Sequence, residues 1–224
     1  MKVIITGVTG MVGKSVLLES LKSDKVEKVL AVSRNPLPLV HPKLEQLQHA
    51  DFLDLNPIKD QLKGYDACFH CMGIPAVGKS EQEYTKYTYE LTAHWAETLY
   101  SLEPDMVFSY VSGTGSDSSE SGRIMWARVK GRAENKVLST GFKDAYAFRL
   151  GGLIPAKGIR SRTGWINAML TIFRPFFGLM KGMKSITTSE KMGKAMINSA
   201  LYPQEKKHLE NPQINALALA GDKG

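Results

Sequence analysis

Val3–Leu21 reads "VIITGVTGMVGKSVLLESL": a short apolar run, three glycines, then Lys-Ser and an apolar continuation. Two kinds of phosphate-holding turn share this outline. A nucleoside-triphosphate loop needs a Gly, four residues, then Gly-Lys-Ser/Thr, so that the backbone wraps a β-phosphate and the Lys reaches it. Gly13-Lys14-Ser15 supplies the end of that motif, but its first Gly would fall at Val8. Gly7 comes one residue too early and Gly10 too late, so the loop is out of register. Lys14 is then expected to project from a first helical turn without a phosphate role. The glycines follow G-x-x-G-x-x-G instead, at Gly7, Gly10 and Gly13. That puts one Gly at a strand end, one where backbone approaches a pyrophosphate, and one where a helix packs on a strand. A strand over Val3–Ile5 and a helix after the turn complete the context, with the helix N-terminus facing the anion. The stretch reads as a dinucleotide-binding turn; the alternative is a purely structural one.

Outward from this turn, strand-like and helix-like patterns alternate. "KVLAVSR" (Lys28–Arg34) is a second strand, followed by the proline-broken loop "NPLPLVHP". "LEQLQHADFLD" carries a short third strand, and "DACFHCMG" is a fourth. A long helix "YTKYTYELTAHWAETLYSL" precedes the strand "DMVFSYVSG"; a helix in "SGRIMWARVKGRAENKVLST" precedes the strand "DAYAFRLGGL". Such alternation predicts right-handed βαβ crossovers and an α/β fold with a parallel sheet covered on both faces. The later strands are continuous apolar runs, as buried parallel strands are. From Gly158 the texture changes. "GIRSRTGWINAMLTIFRPFFGLMKGMKSITT" is basic, aromatic and Met-rich, and reads as a small substrate-side or lid segment. The same features would suit a membrane-surface helix or ordinary core packing. "SEKMGKAMINSAL" reads as a returning helix and "PQINALALAG" as a final short strand or arm. The expectation is one domain over 1–224, to which 158–224 contributes the lid.

The 224 residues, 43% of them hydrophobic, are enough to bury a sizeable core. A net charge of +7 favours an anionic ligand, but Lys and Arg are spread along the chain and form no block, which argues against nucleic acid. The two cysteines, Cys68 and Cys71, form a C-x-x-C that raises redox and zinc readings. No second pair completes a zinc site, and the motif lies in a buried-strand pattern and not at a helix N-terminus, which favours a structural role. Sparse cysteines fit a reducing cytoplasm. No signal peptide is read at "MKVIITG", and no apolar run of roughly eighteen residues predicts a span.

The second strand should end at the adenosine ribose. A carboxylate there would accept from the ribose 2′-OH and select NAD. This strand ends in Ser33 and Arg34, a hydroxyl and a guanidinium suited to a 2′-phosphate, so NADP is expected over NAD. Asp51 and Phe52 follow the third strand, where an adenine edge would lie. Cys71, Met72 and Gly73 end the fourth, where ribose and pyrophosphate would pass.

On "TGVTGMVG", "VSR", "ADFLD", "DACFHCMG", "YVSG" and "MWARVKGRAE", over roughly residues 1–155, the chain resembles the short-chain dehydrogenase/reductase superfamily. The likeness is to its extended or atypical branch, the small NAD(P)-binding epimerase/dehydratase-like relatives of nucleoside-diphosphate-sugar epimerases. The resemblance implies a Rossmann-type doubly wound sheet, with bound NADP contacted by Gly7, Thr9, Gly10, Met11 and Val12. It implies pairing of family members through the helices that carry "YTKYTYELTAHWAETL" and "MWARVKGRAE". It also implies a Tyr-x-x-x-Lys pair, with a Ser or Thr at the end of the fifth strand orienting the substrate oxygen. Ser112 or Thr114 supplies the hydroxyl and Lys130 the cofactor-ribose contact, but the Tyr position holds Trp126. An indole N–H donates and does not titrate, so it cannot shuttle a proton. Tyr110, on the same strand face as Ser112, and Tyr84, Tyr87 and Tyr89 are alternative phenols that more often simply pack. Two functions stay open: an NADP-dependent oxidoreductase or epimerase with a nonstandard proton donor, or a cofactor-binding protein that senses redox state or engages a partner. Arg160 and Arg162 hint at an anionic small-molecule substrate.

Overall fold

The computed structural model describes residues 1–156, 164, 177, 183 and 185–221. Seven parallel strands form its main sheet: β1 (Lys2–Thr6), β2 (Lys28–Ser33), β3 (Leu44–Gln48), β4 (Ala67–His70), β5 (Val107–Gly113), β6 (Asp144–Leu150) and β9 (His208–Glu210). They run in the order β3-β2-β1-β4-β5-β6-β9. β7 (Gly152–Ile154) and β8 (Ile186–Thr188) pair separately, also parallel. The order reverses between β1 and β4, and it is outside the carboxyl ends of strands at such a point that open α/β sheets take their ligands.

Side-chain alternation explains why both faces are covered. On β1, Val3 and Ile5 join one apolar cluster while Ile4 joins the other. The first cluster lies under α1 (Met11–Lys22), α5 (Ser189–Leu201) and α6 (Asn211–Leu217) and includes Val16, Leu17, Met192, Met196 and Ile214. The second lies under α3 (Leu91–Leu102) and α4 (Met125–Ser139) and includes Trp95, Leu99, Phe108, Ala133 and Val137. Covering both faces lets the central strands be apolar throughout.

Three findings refine the sequence reading. "PQINALALAG" is not a strand: it holds α6, with Pro212 in the first helical turn, where a missing N–H costs nothing. The last strand is instead the tripeptide "HLE", too short to show an alternation. The long helix starts earlier, as α2 (Glu81–Thr85), and the Oγ of Ser80 accepts the Glu83 N–H at 3.2 Å to cap it. A π-helical turn, Lys86–Glu90, joins α2 to α3. The returning helix α5 packs into the main core against α1: a β-carbon at Gly193 would meet the Glu19 side chain at 2.6 Å. Of the Met-rich segment after Gly158, Arg160, Arg162 and Trp165 lie outside the described residues. Among those described, no helix is long and apolar enough to cross a membrane.

Candidate cofactor and active site

The glycine turn is built by close backbone approach. Gly7 has φ +67°, and a β-carbon there would lie 2.5 Å from the carbonyl oxygen of Cys71. A β-carbon at Gly13 would collide with the Gly7 carbonyl. The turn therefore nests against the end of β4 while α1 closes on the turn, and side chains at either position would push them apart. Gly10 occupies the N-cap of α1 in extended conformation, with no side-chain cap, and its N–H donates to Gly7 O at 2.9 Å. Amides of a first helical turn have no carbonyl partner within the helix, so this end of α1 offers N–H donors and a positive dipole to an anion. The turn fits a dinucleotide pyrophosphate. Thr9 is exposed beside it, and Met11 and Val12 are half-buried in the first turn of α1. Lys14 points outward and is exposed.

Past the ends of β2, β3 and β4 lies a cavity of about 480 Å³, lined by Arg34, Ala50, Asp51, Phe52, Leu53, Ile74, Lys86, Tyr87 and Leu91. Arg34, Asp51 and Phe52, read from sequence as adenosine contacts, thus come together. Phe52 packs edge-on against Trp95, with ring centroids 6.0 Å apart. Asp51 Oδ1 accepts the Leu53 N–H at 2.9 Å. Ser33 does not join them: it is buried, and its hydroxyl donates to Asn35 O at 2.6 Å. Cys71 and Met72 are half-buried at the end of β4, and Gly73 is exposed with open space around it. Burial raises both thiols, Cys68 and Cys71, so neither is an activated thiolate.

At the end of β5 the side chains decide. Lys130 runs along Gly113, whose added β-carbon would touch the Lys130 Cδ at 3.9 Å, and its ammonium lies 5.7 Å from the centroid of the Tyr110 ring. Trp126, one turn earlier on α4, places its indole edge 3.5 Å from where a β-carbon of Gly115 would stand. Trp126 and Lys130 therefore share one face of α4 and look onto the β5 end. Ser112 is buried, with its Oγ 2.9 Å from Ser116 Oγ. Thr114 turns away from Lys130: its hydroxyl donates to Arg149 O at 3.0 Å and lies 2.9 Å from Glu210 Oε2. Burial lowers Lys130 from the usual lysine value to about 8, against the opposing pull of Glu134. Burial also holds the Tyr110 phenol well above its ordinary range, so Tyr110 is no base near neutrality.

Two arrangements here escaped the sequence reading. His70, inside the C-x-x-C, is fully buried, with Nδ1 3.3 Å from Thr6 Oγ1, Nε2 3.4 Å from Thr92 Oγ1, and its ring stacked on Phe108. Burial alone drops it to about 3, so it is neutral and ties β1, β4 and α3 together. Glu134 is fully buried on α4 and takes the Arg149 guanidinium at 2.6 Å, with His208 Nε2 at 3.4 Å. This cluster fixes α4 to β6 and β9, and so fixes where Lys130 sits. The only signal in the sequence was a carboxylate on the apolar side of a helix.

A family model described as the NAD dependent epimerase/dehydratase family matches residues 3–130. Leucinostatins biosynthesis cluster protein T of Purpureocillium lilacinum is 31% identical over 143 residues, 61% of this chain and 51% of that protein. Protein HTATIP2 of Rattus norvegicus is 27% identical over 179 residues, 79% of this chain and 70% of that protein. The chain thus spans about half the length of the first of these relatives. MoeE5 in complex with UDP-glucuronic acid and NAD has the same fold, with a TM-score of 0.69 and 18% identity over 93% of this chain and 75% of that one. ADP-L-glycero-D-manno-heptose-6-epimerase from Helicobacter pylori also has a TM-score of 0.69, at 15% identity, over 97% and 81% of the two chains.

Proposed function

Because the chain belongs to the NAD dependent epimerase/dehydratase family, we propose that it binds NADP(H) outside β1–β4 and serves an oxidoreductase or epimerase-like reaction in which Trp126 replaces the usual acid. The observation that carries the cofactor half is the nesting of Gly7 against Cys71 and of Gly13 against Gly7 beside an uncapped helix N-terminus. When bound, the nicotinamide supplies the hydride chemistry. Lys130 holds the nicotinamide ribose, Ser112 orients the substrate oxygen, and the Trp126 indole closes the pocket by packing. Thr114 is a weaker candidate than Ser112, since its hydroxyl is committed to Arg149 O and the Glu210 carboxylate, whereas Ser112 meets only the rotatable hydroxyl of Ser116. Acceptors whose reduced anion is stable, such as quinones, need little acid help and suit a site with an indole at this position. Arg34 at the end of β2, where a carboxylate would select NAD, supports NADP over the NAD named for the solved neighbours. An anionic substrate is proposed on Arg160 and Arg162, a homodimer on the family's use of its α3 and α4 helices, and a reducing, cytoplasmic setting on two thiols that burial keeps protonated.

A second reading is favoured by Trp126 itself: a cofactor-binding protein with no turnover, which reports redox state or engages a partner. One experiment separates the two. NADPH oxidation is followed against carbonyl and quinone panels beside a direct NADPH titration. Turnover of any acceptor supports the first reading; binding without turnover supports the second; no binding sinks both.

A further inference from the structure

The cavity past β2, β3 and β4 carries a residue that neither the glycine turn nor the strand ends account for. Its strand-side wall holds Arg34, and its helix-side wall holds Lys86, Tyr87 and Leu91. Among the described residues, neither Arg34 nor Lys86 forms an ion pair, whereas half-buried lysines of the same helical layer do: Lys79 pairs with Glu83 at 2.5 Å and Lys136 with Glu97 at 2.5 Å. The carboxylate in the cavity, Asp51, is engaged through Oδ1 by the Leu53 amide. The rest of the lining is what a purine would pack against: Phe52, Tyr87, Leu53, Ile74 and Leu91.

The π-helical turn explains how Lys86 reaches this wall. Residues five apart on an α-helix point about 140° away from each other. Here the Leu91 N–H donates to Lys86 O, an i→i+5 bond that widens the turn and brings Lys86 and Leu91 toward one side. Both line the cavity as a result. A regular α-helix through the same residues would not place this cation and this apolar side chain on one wall.

We propose that Lys86 is a second phosphate-recognising cation of this cavity and, with Arg34, holds the 2′-phosphate of an adenosine 2′-phosphate group between strand and helix. The inference rests on reading the cavity as the adenosine site of the cofactor, and it moves cofactor selection from one residue to two. Arg34 presents a planar fork and Lys86 a compact, mobile point charge, so the two divide the phosphate into a fixed contact and an adaptable one.

The test is calorimetric titration with two cofactor fragments, adenosine 2′,5′-bisphosphate and adenosine 5′-monophosphate, which differ only by the 2′-phosphate. The unmodified protein should bind the bisphosphate more tightly. Lys86→Met should weaken the bisphosphate by about tenfold, in line with the loss of one charge-assisted contact, and leave the monophosphate unchanged. Lys86→Arg should retain most of the preference. The thermal midpoint should not move, since Lys86 is exposed. A full preference retained in Lys86→Met but lost in Arg34→Met would overturn the role of Lys86 and leave the NADP reading standing. Equal binding of the two fragments by the unmodified protein would overturn both, and binding of neither would remove the adenosine site from this cavity.

Discussion

The two halves of the sheet's carboxyl rim are made from different material. From β1 to β4 the site is backbone: a glycine at φ +67°, a carbonyl it must approach, and a helix start with no side-chain cap. From β5 to α4 the rim is side chains: Ser112, Trp126 and Lys130, with α4 held by the pairing of buried Glu134 with half-buried Arg149. Backbone sites tolerate almost no substitution at the contact, because the obstacle is another main chain. Side chains on such a rim accept exchanges without loss of fold, and the chemistry they offer changes instead. The first half is therefore the more tightly constrained of the two.

The sharpest way to break this contrast is at the glycines. Gly7→Ala and Gly13→Ala each force backbone apart, with overpacking worth about 1–3 kcal/mol or more and, at Gly7, roughly 1 kcal/mol of left-handed strain besides. Both proteins should lose NADPH binding and melt early, whereas Gly73→Ala, with open space around it, should melt like the unmodified protein. Equal urea midpoints for Gly7→Ala and Gly73→Ala would end the backbone account of this half.

Next in size is Trp126→Tyr. General acid help is worth roughly 10²–10⁴-fold, so any carbonyl reductase activity should rise toward about a hundredfold while the NADPH affinity stays put. NADPH should also quench indole fluorescence less in Trp126→Phe than in Trp95→Phe, since Trp95 is sealed in the core. No change in quenching on removing Trp126 would place it away from the nicotinamide. Arg34→Asp comes third: NADPH should weaken by about tenfold or more, with NADH little affected, by direct titration. Equal affinity for the two cofactors in the unmodified protein would refute the Arg34 reading.

The smallest effect is a slope. Lys130 lies near 8 in the folded chain, below its ordinary value of 10.5. Between those values the unfolded chain holds more protons, so stability from this group rises with pH from about 8 to 10.5. Urea titrations across that window should show the rise in the unmodified protein and a flatter profile in Lys130→Met. Identical profiles would mean that Lys130 is well solvated.

The glycine turn was legible because its requirements are local: three positions, fixed spacing, a strand before and a helix after. That Arg34, Asp51 and Phe52 gather around one cavity was legible because each follows the end of a strand. The partners of Thr114 were not legible, since Arg149 and Glu210 lie 35 and 96 residues away and leave no trace in the surrounding sequence. Ser33 misled at shorter range, since its hydroxyl bends back to Asn35. Lys86 was unreadable because a π-helical turn shifts the facing of residues without altering the apolar pattern, and β9 because three residues carry no period.

The packing of α1 on α5 has a consequence for how the chain is made. α1 ends at Lys22, and the helix that covers it begins at Ser189. At roughly 5–20 residues per second of synthesis, the outer face of α1 waits on the order of ten to thirty seconds for its partner to leave the ribosome. β1 is in the same position, since both of its neighbours, β2 and then β4, follow it in the chain. Until Ser189–Leu201 has been made, the apolar face that α1 turns to α5 stays uncovered.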